Sequence, residues 1–305
     1  MRRFLSKLLG YGAVFLLSFL FGLYHSFPYE LLAQRLFEAV HSRFGIQIDV
    51  GELSPWWLVG LQAREVEIEV PRRNKSDPLQ IHLDQIIGRL HPLESLLSQL
   101  TVTVDVLDEA LGQTSTTVHF DEPLVGIDVA RLDLQVGAIP GVWDELGVGF
   151  QGRARGQADL SAPLLKSGAG VDVTKLAGTT DLVVEDAKFG GGMLKGFALP
   201  PIDLGTVPLK LEIEDGTART DGPQRIRGPE LEAEVDGTLK LRPIFLTSRL
   251  DVSLRFKPTD AFWKKHEKLA GLVQALLKSA KGADGWYGYR ITGQLARPNF
   301  RPMRR

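Results

Sequence analysis

From Ile46 onward, apolar and polar residues alternate over most of the chain. In "GIQIDVGELSPWWLVGLQAREVEIEV", Ile46, Ile48 and Val50 precede an aromatic turn and Val66, Ile68 and Val70 follow it, with charged residues between them. A period of two sends successive side chains to opposite faces, so residues 44–70 predict a short strand, a turn and a longer strand, antiparallel and half buried. "TVTVDVLDEALGQTSTTVHFDEP" predicts the same unit again.

Parity changes once in "VGIDVARLDLQV". Val125, Ile127 and Val129 share one face, then Leu132, Leu134 and Val136 take over, which requires a bulge or bend near Ala130. Asp-Gly pairs at Asp215-Gly216, Asp221-Gly222 and Asp236-Gly237 punctuate the alternating segments. Both central residues of a type I′ turn need positive φ, which this pair tolerates, so "LKLEIEDGTART" and "ELEAEVDGTLKL" predict successive hairpins. "SRLDVSLRFKP" adds a strand with Leu250, Val252, Leu254 and Phe256 on one face, and "WYGYRITGQLARPNFRP" predicts a last strand and a proline-broken tail.

Helical spacing interrupts this pattern in few places. "YELLAQRLFEAVHSRFG" puts Leu31, Leu32, Leu36, Phe37 and Val40 on one helical face, with Gly45 as the stop. "HPLESLLSQL" has helical spacing as well. In "TDAFWKKHEKLAGLVQALLKSAKG", Thr259 or Asp260 can cap a helix whose apolar stripe is Leu269, Leu272, Val273, Leu276 and Leu277.

The N-terminus differs in kind. Arg2, Arg3 and Lys7 precede an uncharged apolar run over residues 8–24, which at helical rise spans about 25 Å, near the short limit for a membrane-spanning helix. A cleaved secretory signal would end in a small-x-small site, and "FGLYHSFP" has none, so an uncleaved signal anchor is expected. The positive residues in front leave residues 1–7 in the cytoplasm and export residues 25–305.

The 305 residues carry a net charge of −1. This excludes a strongly basic nucleic-acid binder and a disordered chain. Cysteine is absent, which removes disulfides, thiolate metal sites and thiol nucleophiles.

Candidate chemistry is sparse. His25, His41, His82, His91, His119 and His266 show no HxH or HExxH spacing, so no metal site is expected. No Gly-x-Ser-x-Gly elbow or Walker loop occurs, and no catalytic residue or cofactor is assigned. "GVGFQG" matches G-x-G-x-x-G, but the strand-like "RARGQADL" follows where a dinucleotide site needs a helix, so its glycines are read as turn and strand packing. Glu230, Glu232, Glu234 and Asp236 alternate with Leu231, Ala233 and Val235, which predicts a solvated face. Trp56 and Trp57 are candidate interface aromatics, with core packing at a turn as the competing reading. Lys264, Lys265, Lys268, Lys278 and the terminal "RPMRR" are read as solvated, with contact to anionic headgroups the alternative.

The apolar strand faces remain. Leu209, Leu211, Ile213, Leu231, Val235, Leu250, Val252, Leu254 and Phe256 are read as plain core covered by a helix or second sheet, with a groove that shelters acyl chains as the competing reading.

The helix followed by "GIQIDVGELSPWWLVGLQAREVEIEV" resembles the N-terminal signature of AsmA-like proteins. "GRARGQADLSAP", "KLAGTTDLVVEDAKFGGG", "LPPIDLGTVPLKLEIEDG", "ELEAEVDGTLKL" and "YRITGQLARPNFRP" together resemble the type II secretion protein family GspN, in its longer AsmA-related version. The resemblance implies a mainly β fold with a few helices, a curved antiparallel AsmA-like sheet behind one transmembrane helix. It implies a bacterial inner-membrane protein with a periplasmic body, a non-enzymatic accessory whose partners are the membrane and other secretion components. Its AsmA side implies an alternative, lipid binding or transfer in envelope homeostasis with phospholipid as partner. No catalytic residue is transferred. Gly152, Gly156, Gly178, Gly237 and Gly293, with Pro298 and Pro302, fit the family's pattern and are assigned turn roles.

Overall fold

The computed structural model describes residues 46–57, 59–71, 78–91, 100–139, 149–165, 170–194, 197–267 and 277–303, plus scattered positions between 15 and 42. The expected anchor at 8–24 therefore lies outside the described residues except for Phe15, Ser18 and Gly22, and the expected helix at 92–99 lies outside them entirely. Among the described residues no helix is long and apolar enough to cross a membrane.

Alternation becomes strand almost everywhere it occurs. The first half of the chain forms β1 (Gln47–Trp56), β2 (Gly60–Val70), β3 (Leu79–Leu90), β4 (Leu100–Asp108), β5 (Gly112–Asp121), β6 (Leu124–Gln135) and β7 (Gly149–Pro163). The second half forms β8 (Ala177–Gly190), β9 (Gly192–Leu194), β10 (Phe197–Leu199), β11 (Ile202–Glu214), β12 (Thr217–Thr220), β13 (Gln224–Arg227), β14 (Leu231–Lys240), β15 (Arg249–Pro258), β16 (Tyr287–Gln294) and β17 (Arg297–Met303). Fifteen of these make one antiparallel sheet, and β9 with β10 makes a separate hairpin.

The sheet is a meander in chain order. Each strand pairs with its predecessor except where β11 lies beside β8, and where β12 and β13 both lie against β14. Among the described residues β1 and β17 pair on one side only, so the sheet is open and not a barrel.

Several local expectations hold. The β1–β2 hairpin sets Ile48 opposite Ile68 and Val50 opposite Val66. The bulge sits at Ala130 and Arg131, because the ladder to β7 jumps from Val129–Ala158 to Leu132–Gly156. Asp215 (φ 44°) and Gly216 (φ 66°) form the two-residue turn between β11 and β12, the left-handed pair that a type I′ hairpin needs.

Four expectations are corrected. Asp221-Gly222 makes no hairpin, since β12 and β13 run the same way along β14 as two pieces of an interrupted strand. Asp236-Gly237 lies inside β14, where Gly237 pairs with Val252 and its N–H donates to Thr220 Oγ1 at 3.1 Å. The five glycines given turn roles stand within strands; at Gly178 (φ 140°) an added Cβ would lie 2.0 Å from the Asp159 carbonyl oxygen, so the chain needs glycine there for close strand approach. The proline tail is a strand, β17, because proline is tolerated where an edge strand has no further partner.

The expected helix after β15 begins as predicted. Thr259 caps α1 (Asp260–Lys265) by accepting from the Phe262 N–H at 3.4 Å. Of the apolar stripe, Leu277 alone lies among the described residues. Phe262 is buried and meets Trp263 edge-on at 5.1 Å between ring centres.

The best-buried core lies where β8, β11, β13 and β14 converge. Val184, Ala187, Leu204, Ile226 and Ala233 form its centre, and Phe150, Phe189, Leu231, Val235, Leu254 and Phe256 pack around them.

Candidate functional site

Directly paired residues in neighbouring strands share a face, so the register assigns each side chain to one side of the sheet. Starting at Leu90, a row of direct partners runs through Val102, Val118, Ile127, Leu160 and Gly178. It continues through Ile213, Ala218, Leu239, Leu250 and Gly293 to Pro298 on the last strand. No polar side chain interrupts the row.

The adjacent row, on the opposite face, contains none but polar residues. From Thr103 it passes Thr117, Asp128, Asp159, Thr179 and Glu212, then Arg219, Thr238, Asp251, Thr292 and Asn299. The sheet is thus amphipathic from β4 to β17, one face apolar and the other charged.

All nine candidate groove residues fall on the apolar face. Leu209 pairs with Leu182, Leu211 with Thr180, and Ile213 with Gly178. Val235 pairs with Leu254, Leu231 with Pro258, Gly237 with Val252, and Leu239 with Leu250, while Phe256 pairs with Ala233. The nine divide by packing. Leu231, Val235, Leu254 and Phe256 join the core cluster, where Phe256 also stacks on Tyr287 at 5.6 Å between ring centres. Leu209, Leu211, Leu250 and Val252 stay half-buried outside it, and Ile213 is buried.

The same face extends beyond the residues that sequence reasoning selected. Val102, Val118, Ile127, Val129 and Leu160 belong to it, and their signal was the alternation already visible in β4 to β7.

The polar face is held by ion pairs between neighbouring strands. Asp133 accepts from Arg153 Nη2 at 3.0 Å and lies 3.5 Å from Arg155, which also pairs with Glu185 at 2.7 Å. The Arg153 hydrogen bond holds the Asp133 carboxyl below its ordinary pKa, against the opposing effect of burial. Arg290 forks onto both oxygens of Asp251 at 2.8 Å and lowers that carboxyl too. Glu234 lies between Arg225 and Arg255, each at 3.3 Å.

Glu230 departs from the solvated face expected of it. It is 5% exposed, in the turn before β14. Its carboxylate accepts from Lys265 on α1 and from the Asp203 N–H at 3.1 Å, and His266 Nε2 lies 3.6 Å away. Burial pushes the group up, yet these bonds and charges outweigh it and leave the carboxyl below its usual range. Glu230 therefore fastens α1 to the sheet.

Three of the other histidines have individual polar neighbours. His91 bonds Thr103 at 2.9 Å, His119 bonds Thr101 at 3.2 Å, and His82 stands 3.8 Å from Asp84. Phe150 and Gly152 of "GVGFQG" lie inside β7, so strand follows those glycines. At the β1–β2 turn Trp56 is half-buried, whereas Trp57 is 77% exposed with φ 53°.

No family model, curated protein or solved structure matches the chain. The geometry of the two faces therefore carries the functional argument.

Proposed function

We propose that this chain is a non-enzymatic lipid-binding protein of the cell envelope, whose apolar sheet face shelters acyl chains while its charged face meets water. The observation that carries this reading is the uninterrupted apolar row from Leu90 to Pro298. Most of its side chains are half-buried, whereas a face sealed by a second layer would bury them. A strip of this kind binds by the ordinary hydrophobic effect, about 0.8 kcal/mol for each buried methylene, and requires no catalytic group. The AsmA resemblance favours the same reading, with an N-terminal anchor in the inner membrane and the sheet in the periplasm.

The test uses the same substitution on opposite faces. Leu211→Lys places a charge on the apolar face outside the core cluster, and Thr238→Lys places one on the polar face between Arg219 and Asp251. Phospholipid copurifying with the full-length protein is expected to fall at least about tenfold in the first variant, as a buried unpaired charge costs several kcal/mol, and to persist in the second. Full lipid retention by a folded Leu211→Lys variant rules the reading out. Leu254 is the poorer choice, since it packs in the core and its loss also tests folding.

The secretion role implied by the GspN resemblance is a second reading, favoured by the two sheet edges, β1 and β17, that pair with no further strand among the described residues. Such edges offer backbone groups to a partner strand. If it is right, a deletion strain accumulates folded exoproteins in the periplasm with an intact outer membrane. Normal secretion with a leaky outer membrane removes it.

A further inference from the structure

We infer that one rim of the sheet, formed by the strand ends where β1 turns into β2, is a docking surface for a lipid bilayer. Exposed large apolar side chains concentrate there. At the first turn stand Trp57, 77% exposed, and Val59, 42% exposed. The Leu90 N–H donates to the Val59 carbonyl at 2.9 Å, which carries the rim to the end of β3 and on to Leu100 at the start of β4.

Leu100 pairs with Phe120, and Leu124 follows across the next turn, so the line passes without a gap to β6. The Leu164 N–H bonds Pro123 at 2.9 Å and brings in Leu165, 41% exposed. Farther along the same rim, the connection from β14 to β15 presents Ile244 and Phe245, the latter 59% exposed.

At the opposite rim, the connections at 72–77, 140–148 and 268–276 lie outside the described residues. Among the described residues, Leu107 is the one exposed large apolar side chain at those strand ends. A line of exposed large apolar side chains at the ends of so many strands is more than the single scattered leucines of an ordinary surface.

The form of the rim selects the occupant. Its exposed apolar groups stand singly or in pairs at the β1–β2, β3–β4, β5–β6, β7–β8 and β14–β15 ends, a line one or two side chains deep and long in the cross-strand direction. A protein partner requires a broad complementary patch, whereas a bilayer interface receives each tryptophan, leucine or phenylalanine independently. Charges of both signs flank the lip, Arg89, Lys240 and Arg242 with Asp121 and Glu122, so the surface suits zwitterionic headgroups without needing anionic ones. This surface is separate from the apolar face proposed to hold acyl chains, and each can fail without the other.

The chain contains no cysteine, so one introduced cysteine labels one site. Full-length Trp57→Cys, Leu124→Cys and Phe245→Cys variants, with Leu107→Cys as the opposite-rim control, are labelled with an environment-sensitive fluorophore and reconstituted in phosphatidylcholine vesicles. With brominated phosphatidylcholine, the three rim labels are expected to be quenched roughly twofold or more, as at an interfacial depth, and the Leu107 label to be unchanged. Three results overturn the inference. Rim labels as wet as the control mean that no bilayer is bound. Labels shielded from water yet unquenched mean that protein, a second copy or another chain, covers the rim. Equal quenching at Leu107, on the rim where β1 begins, means that the labels report non-specific adhesion or the bilayer around the N-terminal segment and not docking of the Trp57 rim.

Discussion

Asp133 shows how single residues hold a sheet that has a charged face. Two arginines from the adjacent strand, Arg153 and Arg155, converge on this one carboxylate, and Arg155 reaches on to Glu185 in the strand beyond. Such cross-strand pairs fix register as well as attract. Asp133, Glu230 and Asp251 all have carboxyl pKa values lowered in the folded chain. A group lowered on folding stabilises the fold fully above its unfolded value, about 4 for these acids, and that stability is lost as pH falls through the lower folded value. The melting temperature of the full-length protein is therefore expected to fall as pH drops from about 5 toward 3. Asp133→Asn should melt lower at neutral pH and lose part of this acid dependence, because it no longer binds a proton on unfolding. An unchanged acid slope in that variant, with the fold intact, removes Asp133 from the account. Glu230→Gln is expected to do the same while costing about 1–3 kcal/mol at neutral pH, since a buried charged hydrogen bond is lost.

Elements were legible in proportion to how local their causes are. Strands β1 and β2, the bulge at Ala130 and the Asp215-Gly216 turn each follow from side-chain parity or from backbone conformation within a few residues. The errors arose where a neighbouring strand decides. Asp236-Gly237 has the composition of a turn, but β15 pairs along the whole of β14 and draws those residues straight, with Thr220 Oγ1 donating to Asp236 at 2.9 Å. β17 has two prolines and reads as a tail, yet Pro298 and Pro302 sit four residues apart, on the same face of an outermost strand, where proline is tolerated. The nine candidate groove residues were legible as one face because alternation survives translation into a sheet. Which of them belong to the core was not legible, because the cluster that Leu231 and Val235 pack against draws Val184, Leu204 and Ile226 from elements distant in sequence. The buried state of Glu230 was hidden for the same reason: its partners are Asp203, on β11, and Lys265, on α1.

At the scale of the whole molecule, a meander without closure is nearly one-dimensional. Each strand is stabilised chiefly by two neighbours, and the outermost strands by one, so stability is the sum of strand-pair interfaces more than the property of a single core. The longest strands, β7 with 15 residues and β8 with 14, lie in the middle, next to β11 and the best-buried cluster. Toward either end the ladders shorten, to 10 residues in β1 and 7 in β17. Opening therefore costs least at the edges and most around β7, β8 and β11, where both flanks of every strand must separate. Amide hydrogen exchange on the full-length protein is expected to be fastest in β1 and β17 and slowest in β7, β8 and β11, with protection rising gradually between. The gradient also bears on the proposed lipid role, because bound acyl chains spanning several strands would tie neighbouring interfaces together. Delipidated protein should then show a steeper edge-to-centre gradient than lipid-loaded protein. Uniform exchange across all strands, independent of lipid, would mean one cooperative unit, and the strand-by-strand account of its stability would have to be abandoned.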